Sequence, residues 1–244
     1  MRGSVASPGD AARNSRIASI SAAMSSPTRR TGQTARTSTR NSILDTALSL
    51  FNEEGLAKSS TNRIAAELGI SSGNLYYHFS SKEQIAEWLI RRFEERVGAV
   101  AQAAESVVAL DDMWLTLHLG FEIIHAYRFI YRDVDYLVRE FPKAGQRVSQ
   151  ITARSVQSTQ RMCQRLADAS VICASREDVD SLALQIVFTA TCWFTFARLL
   201  PGGDTRPQDA GRAAYQVLTL LAPYVEPQSR AYLSYLRNKY LKSE

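Results

Sequence analysis

Two histidines and a glutamate, His118, Glu122 and His125, recur at steps of three and four residues. On a helix these steps place side chains on one face, where imidazole and carboxylate groups could bind a metal ion or a polar ligand. The alternative is a mostly apolar pocket for a small molecule, with the histidines as the polar part of its lining. We favour the pocket because aromatic side chains share this face. Its predicted lining is Trp114, His118, Phe121, Glu122, His125 and Phe129.

A serine nucleophile is a second possibility, since residues 69–73 (GISSG) match the Gly-x-Ser-x-Gly pattern of a nucleophile elbow. That elbow requires a strand running into a helix, whereas both flanks of Ser71 have helical periodicity. The sequence also contains no P-loop and no His-Glu-x-x-His motif. We therefore expect no enzyme, no cofactor and no resident metal ion.

The three cysteines, Cys163, Cys173 and Cys192, are scattered and lack metal-ligand spacing. In a reducing compartment such residues are most often small buried apolar groups. Redox sensing by Cys163 or Cys173 is the alternative.

Helices are expected throughout the chain. It has only 12 Gly and 7 Pro in 244 residues, below the average of about 12% for the two together, and turn-rich β folds need both. From residue 40 onward apolar residues recur at helical spacing. The pattern predicts a helix over 43–51 ended by Gly55, a short one over 61–68 ended by Gly69, and another carrying Leu75 to about His78. Ser59, Ser60 and Thr61 are candidates to cap the second helix, and Ser80 or Ser81 to cap a long fourth.

The tight turn at residues 69–71 is typical of a helix-turn-helix unit, although many αα-hairpins share this spacing. The same region contains ILDTA at 43–47, LFNEEG at 50–55, TNRIAAELGIS at 61–71 and SGNLYYHFSSKE at 72–83. With these motifs, residues 40–97 resemble the TetR family of bacterial transcriptional regulators. The resemblance implies an all-α fold with a three-helix DNA-binding domain at 37–97. Its helix-turn-helix motif lies at about 60–79, and a long helix joins it to a C-terminal regulatory and dimerisation domain at 98–244.

The resemblance also implies roles for residues of the third helix. Ser71, Ser72, Gly73, Asn74 and Tyr77 would face base edges, while Thr61, Tyr76, His78 and Lys82 would hold phosphates and Arg63 could reach either. The residue types agree: Asn can bond adenine bidentately, and glycine permits close approach. Alternatives are that Thr61 only caps its helix and that one of the two tyrosines packs partly on the long helix. Arg40 and Lys58 could touch the DNA backbone or be solvated.

Six helices are predicted in the rest of the chain: one over 111–127, a short one that ends at 140, and four over 142–169, 179–200, 209–224 and 228–241. Residues 201–204 separate the fourth and fifth of them. The resemblance implies that the helices over 179–200 and 209–224 pair with their twins in a homodimer. The predicted interface residues are Phe188, Trp193, Phe196, Leu218 and Leu221. The apolar stretch 181–200 could alternatively suggest a membrane span, but we favour burial between subunits.

The net charge of +5 lies entirely in residues 1–36, which carry six Arg, one acid (Asp10) and no aromatic residue. We expect this tail to be disordered. It could contact DNA phosphates, or translation could begin at Met24, which would leave a shorter tail. No export signal is recognisable, so the cytoplasm is expected. Together these features predict a regulator that binds double-stranded DNA at a palindrome and responds to an unknown small-molecule effector, most often as a repressor. The alternatives are an activator, a corepressor-dependent regulator, or a helical small-molecule-binding protein or enzyme with a remnant helix-turn-helix.

Overall fold

The computed structural model describes residues 34–200 and 208–240, with side chains from 38 to 200 and from 211 to 240. This part of the chain has eleven α-helices, a short 3₁₀ turn at Pro227–Ser229 and no strand, which confirms the all-α prediction. The helices are α1 (Thr34–Glu54), α2 (Thr61–Leu68), α3 (Ser72–His78), α4 (Lys82–Ala104), α5 (Leu110–Ala126), α6 (Phe129–Arg132), α7 (Val134–Glu140), α8 (Pro142–Asp168), α9 (Arg176–Ala197), α10 (Gln208–Leu221) and α11 (Arg230–Asn238).

The start of the first helix differs in part from the predicted end of the N-terminal tail. Helix α1 begins at Thr34, so residues 34–36, which we assigned to a disordered tail, are helical. The rest of the tail prediction, over residues 1–33, and the separator at 201–204 lie outside the described residues. We call α1 to α3 with the start of α4 the head, and α5 to α11 the body.

Local capping fixes where the helices of the head begin and end. The Ser60 hydroxyl accepts from the Arg63 amide (3.1 Å), and Ser71 and Ser81 cap α3 and α4 in the same way. Gly69, with φ 69°, ends α2 in the left-handed conformation that glycine adopts without strain. Because Ser60 is the N-cap, Thr61 is the first residue of α2 and does not cap it.

The short helix α3 is held in place by two apolar anchors. Leu75 and Phe79 are completely buried against Phe51, Ile64 and Ile85 from the other three helices of the head. A helix of this length has little stability alone in water. Its orientation therefore depends on these anchors and on its cap.

The core of the head continues without a break into the body. Phe129 of α6 is fully buried, with its ring 5.4 Å from that of Phe51. Tyr127, at the end of α5, lies 5.6 Å from Phe93 of α4. The two predicted domains thus share one apolar cluster, and α4 runs unbroken through the predicted boundary at residue 97.

A second core lies within the body, where α9 packs against α8 and α10, and α4 packs against α5 and α8. A capping box at Ser175 and Asp178 starts α9. Helices α7 and α8 approach each other so closely that a Cβ on Gly145 would lie 2.8 Å from the Cα of Val138. This glycine is therefore required by packing.

Candidate nucleic-acid interface and effector cavity

One face of α3 is exposed while the opposite face is buried. Leu75 and Phe79 point into the core, and Tyr76 and Tyr77 are 50% and 65% exposed. Neither tyrosine is therefore buried, although about half of Tyr76 is covered. The residues placed together on the open surface are Ser71, Ser72, Gly73, Asn74, Tyr76 and Tyr77.

Some polar groups of this surface are held in position by hydrogen bonds between side chains of α2 and α3. The Thr61 hydroxyl and the Tyr76 phenol are 3.1 Å apart, and Ser72 donates to the Asn62 side chain (3.0 Å). These contacts fix α3 relative to α2 at the point where both helices present hydroxyl groups to solvent. Sequence reasoning did not single out Asn62, although its place beside Thr61 at the start of α2 could have suggested it.

Asn74 and Gly73 leave this surface open to a partner. The Asn74 amide makes no hydrogen bond to the described residues, because only its backbone N–H is used, by the Ser71 hydroxyl. A Cβ on Gly73 would meet nothing closer than the Ser71 hydroxyl at 3.9 Å. The fold itself therefore does not need glycine at position 73. Because glycine has no side chain, another molecule can approach the backbone closely here.

His78, also predicted to hold phosphate, lies at the far end of α3 and is half-buried, its ring edge-on to Tyr77 at 5.2 Å. Arg63 is exposed but occupied. Its guanidinium donates to Glu67 (2.7 Å) and Glu54 (3.1 Å), and these hydrogen bonds, the one to Glu67 most of all, raise the pKa of Arg63. A phosphate would have to compete with both carboxylates for this side chain.

Lys82, also predicted to hold phosphate, is bound by groups of the protein itself. Its ammonium donates to the Leu56 carbonyl (2.8 Å) and to the Tyr136 hydroxyl (3.1 Å) of α7, and lies 5.1 Å from the Tyr136 ring. Arg40 is likewise packed, with its guanidinium 3.9 Å from the Trp88 ring centre. Both cations are therefore parts of the internal structure, and Lys82 ties the head to the body.

Further hydrogen bonds join the end of α1 to the turn between α5 and α7. The Asn52 amide donates to the Ala126 carbonyl (2.8 Å) and accepts from the Phe129 N–H (3.1 Å). Arg132 donates to the carbonyls of Phe51 and Asn52, and Asp133 accepts from the Leu56 N–H (2.7 Å). We call this set the head–body junction. The residues that it joins lie more than seventy positions apart in the sequence, so no local sequence pattern indicated it.

The body contains an apolar cavity of about 100 Å³ bounded by α4, α5, α6, α8 and α9. Only Phe121 among the six residues predicted for a pocket lines it. The face of α5 that does so is rotated from the predicted one by about one residue, or about 100°. It consists of Thr116, Leu117, Gly120, Phe121 and Ile124.

The other predicted pocket residues are used elsewhere. Trp114 and His118 stack at 5.6 Å beside Tyr240, whose hydroxyl lies 3.2 Å from the His118 Nδ1. The His125 ring packs 5.2 Å from Phe194, and Phe129 belongs to the core shared with the head. Glu122 is exposed at the surface. Among the described residues, no cluster of three or more His, Cys, Asp or Glu could hold a metal ion.

Sequence reasoning missed the contribution of α8 to this cavity. Ser155, Ser158 and Thr159 interrupt an inner stripe that otherwise carries Val148, Ile151 and Met162. Short polar residues in the middle of a buried apolar stripe were the available signal. Tyr131 of α6 also lines the cavity, next in sequence to Arg132 of the head–body junction.

Helix α9 presents an exposed apolar face. Leu184, Phe188 and Phe196 are 59%, 65% and 52% exposed, and Trp193 beside them is half-buried. Leu218 and Leu221, also predicted for a subunit interface, are instead buried in the core of the body, because the inner stripe of α10 packs on α5 and α9. By length and composition alone α9 could also cross a membrane, with 39% of its most apolar stretch buried. One such helix is weak grounds for a span.

Of the three cysteines only Cys163 is buried as expected, while Cys173 and Cys192 are exposed. Burial raises the pKa of the Cys163 thiol to about 12, and the hydrogen bond to Glu226 raises the pKa of Cys173. Both therefore hold less thiolate, the reactive form, at neutral pH. Cys192 is exposed on α9. Ser71 sits between two helices with its hydroxyl engaged as a cap, so the strand required by a nucleophile elbow is absent there.

Comparison with known proteins places both halves of the chain. Residues 43–89 match the family described as bacterial regulatory proteins, tetR family, and residues 92–233 match TetR, bacterial transcriptional repressor. The transcriptional repressor KstR2 of Rhodococcus jostii is 30% identical over 173 residues, 68% of this chain and 81% of that protein.

Two solved structures extend the likeness to the fold. A TetR-family transcriptional regulator from Marinobacter aquaeolei shares 35% identity at a TM-score of 0.75, over 83% of this chain and 98% of that one. A gamma-butyrolactone receptor described as ArpA-like, at 19% identity and a TM-score of 0.62, covers 85% of this chain and 98% of its own. The second likeness concerns the fold alone.

Proposed function

The chain belongs to the TetR family of bacterial transcriptional regulators, and we propose that it is a repressor whose hold on a palindromic operator is released by a small molecule bound in the body. It is a DNA-binding regulator of transcription by family. The response to a small molecule, the palindromic form of the operator and the homodimer are parts of the proposal.

The exposed face of α3 carries this proposal. Four small or polar positions and two exposed tyrosines lie at or on α3, which Leu75 and Phe79 anchor to the core. In a helix-turn-helix the second helix enters the major groove with its N-terminal residues against the base edges. Ser71, Ser72, Gly73, Asn74 and Tyr77 would face base edges, while Thr61, Tyr76 and His78 would hold phosphates. Arg63 would reach a phosphate or a base edge once it leaves Glu54 and Glu67.

The effector cavity is placed to influence the head by two routes. Helix α4 begins beside α3 and lines the cavity with Val97, Val100 and Ala101. Helix α6 puts Tyr131 in the cavity wall and Arg132 against the carbonyls of α1. A molecule that favours one arrangement of these helices shifts the population of head orientations. Repression ends when the two heads no longer match successive grooves.

The homodimer is proposed to form through the exposed face of α9. An exposed face with several large apolar side chains is typical of an interaction surface, and an isologous contact places the same residues on both sides. Leu184, Phe188, Trp193 and Phe196 would meet their counterparts there, with the outer face of α10 alongside. The two α3 helices would then lie about 34–36 Å apart, one turn of DNA. We place the dimer in the cytoplasm and not in a membrane.

A footprint on the DNA flanking its own gene tests the DNA-binding part of the proposal. The expected result is protection of a palindrome, with affinity that falls steeply with salt. Loss of the footprint on adding effector would support repression by release. A footprint that forms only with a small molecule present would instead indicate a corepressor-dependent regulator. Absence of any salt-dependent DNA binding would leave the helical small-molecule-binding protein with a remnant head.

A further inference from the structure

A second, more polar concavity lies on the outer side of the contact between α4 and α8. It measures about 310 Å³ and shares Val97, Ala101, Ser155 and Ser158 with the apolar cavity. The two volumes are therefore neighbours with a common wall. Where α8 meets α4 in this wall, the Ser158 hydroxyl and the Ala101 carbonyl are 3.4 Å apart, a weak hydrogen bond.

The size of the inner cavity limits what it can hold by itself. Pockets for small molecules commonly measure about 300–1,000 Å³, whereas an apolar cavity of about 150 Å³ takes a molecule the size of benzene. At about 100 Å³ the inner cavity accommodates only the end of an apolar chain, and the rest of a chain as long as octyl would lie along Val97, Ala101 and Ser155, which line both volumes. A larger effector must extend into the outer concavity, which we call the outer groove.

The outer groove has an excess of positive charge. Arg147, Arg154 and Arg161 recur every seven residues on α8, which places them about 10.5 Å apart along one side of the helix. Glu94 of α4 bonds both Arg147 (2.6 Å) and Arg154. Burial alone would raise the pKa of Glu94, but the two guanidinium groups lower it overall, so the carboxylate is charged at neutral pH.

One carboxylate therefore serves two arginines, and the third has no acid of its own. Arg161 lines the groove and has no ion pair within the part of the chain that the structure describes. Arg154 is 59% exposed; it donates to Glu94 and, from its Nε, to the Gln150 carbonyl (3.3 Å), and its remaining N–H groups are available. Guanidinium groups bind carboxylate and phosphate oxygens with strong, directional hydrogen bonds.

We propose that the effector is an amphipathic anion whose apolar part occupies the inner cavity and whose carboxylate or phosphate lies in the outer groove on Arg154 and Arg161. Binding would widen the wall between α4 and α8 and so displace the helix that supports α3. The chemical class of the effector rests on the effector response proposed above, but its binding can be measured without DNA.

The test uses four octyl compounds that differ in the head group: octanoate, octyl phosphate, octanol and octylamine. Calorimetric titration of the full-length protein is expected to give binding of one or both anions at least about tenfold tighter than octanol, with octylamine the weakest. A preference for octanoate over octyl phosphate, or the reverse, decides between the two head groups. Equal affinity for octanol and both anions, or no binding by any of the four, would overturn the proposal.

Three variants locate the site. Arg161→Gln should remove most of the preference for the anion and leave octanol binding unchanged, while Arg176→Gln, the same change at an exposed position on α9, should leave both unchanged. Gly120→Leu should fill the inner cavity and weaken anion and alcohol alike. An equal loss in the Arg161 and Arg176 variants would assign the effect to general charge. DNA binding without any probe is measured in parallel, so a failure of the proposed function is seen separately.

Discussion

At the scale of single residues, the polar side chains near α3 fall into those that are already bound within the protein and those that are not. Lys82 bonds the Leu56 carbonyl and Tyr136, and Arg63 bonds two carboxylates. Asn74 has no side-chain hydrogen bond within the described residues. A side chain without an internal partner is the better candidate for reading bases, because binding a partner breaks nothing in the protein.

Replacement of Asn74 by Ala should therefore weaken operator binding by about 1–3 kcal/mol and leave binding to random DNA nearly unchanged, as loss of a base contact does. Fold stability should not change, since the Ser71 cap on α3 uses only the backbone of residue 74. Mobility-shift titrations on both DNAs, with thermal unfolding as control, measure this. Equal losses on the two DNAs would mean that Asn74 contacts phosphate.

Replacement of Lys82 by Met should lower the free energy of unfolding by about 1.5–3 kcal/mol, the range for hydrogen bonds that involve a charged group. Tyr136→Phe removes one of the same two bonds and should cost less. Chemical denaturation measures both. If Lys82→Met left stability intact and weakened binding to every DNA alike, the phosphate role inferred from the family resemblance would be restored.

At the scale of helices, the two glycines with opposite surroundings give a direct test of packing. A Cβ on Gly145 would lie 2.8 Å from the Val138 backbone, whereas a Cβ on Gly98 of α4 would meet nothing within 4 Å. Both glycines are in helix interiors, where Ala is preferred by about 0.5–1 kcal/mol.

Gly98→Ala should consequently stabilise the protein by up to about 1 kcal/mol. Gly145→Ala should destabilise it, since α7 and α8 must separate to admit the methyl group, and overpacking typically costs about 1–3 kcal/mol. Midpoints of urea unfolding for the two variants provide the comparison. A stable Gly145→Ala protein would mean that α7 shifts freely against α8, and the close approach would lose its structural importance.

The helices themselves could be predicted from the sequence because their signals are local. Ser60, Gly69, Ser71 and Ser81 cap neighbours within three or four residues. The partner of each helix face could not be predicted in the same way, because the helices of the body are covered on several sides and more than one face is apolar. The aromatic stripe of α5 packs on Tyr240 and Phe194, and a neighbouring stripe lines the cavity. The partners of Lys82 within the protein could not be predicted for the same reason, as Tyr136 is 54 residues away.

At the scale of the whole molecule, the shared core and the head–body junction make the head an extension of the body. Asn52 and Arg132 hold α1 against the α5–α7 turn by hydrogen bonds, and Phe51 and Phe129 pack beneath them. A movement in the body would therefore carry the head with it. In a two-fold assembly such movements are doubled in their effect on the spacing of the two α3 helices, because each subunit contributes one.

Assembly through α9 can be tested at Phe188. Its side chain is 65% exposed, so Phe188→Asp should leave the subunit folded but place two unpaired charges in the proposed seam, where burying a charge without a partner is strongly unfavourable. Sedimentation should then give monomers, and operator affinity should fall far more than affinity for a half-site. Val108→Asp, at a residue 54% exposed outside α9, is the matched control and should remain dimeric. A Phe188→Asp protein that is folded and still dimeric would remove this face of α9 from the interface.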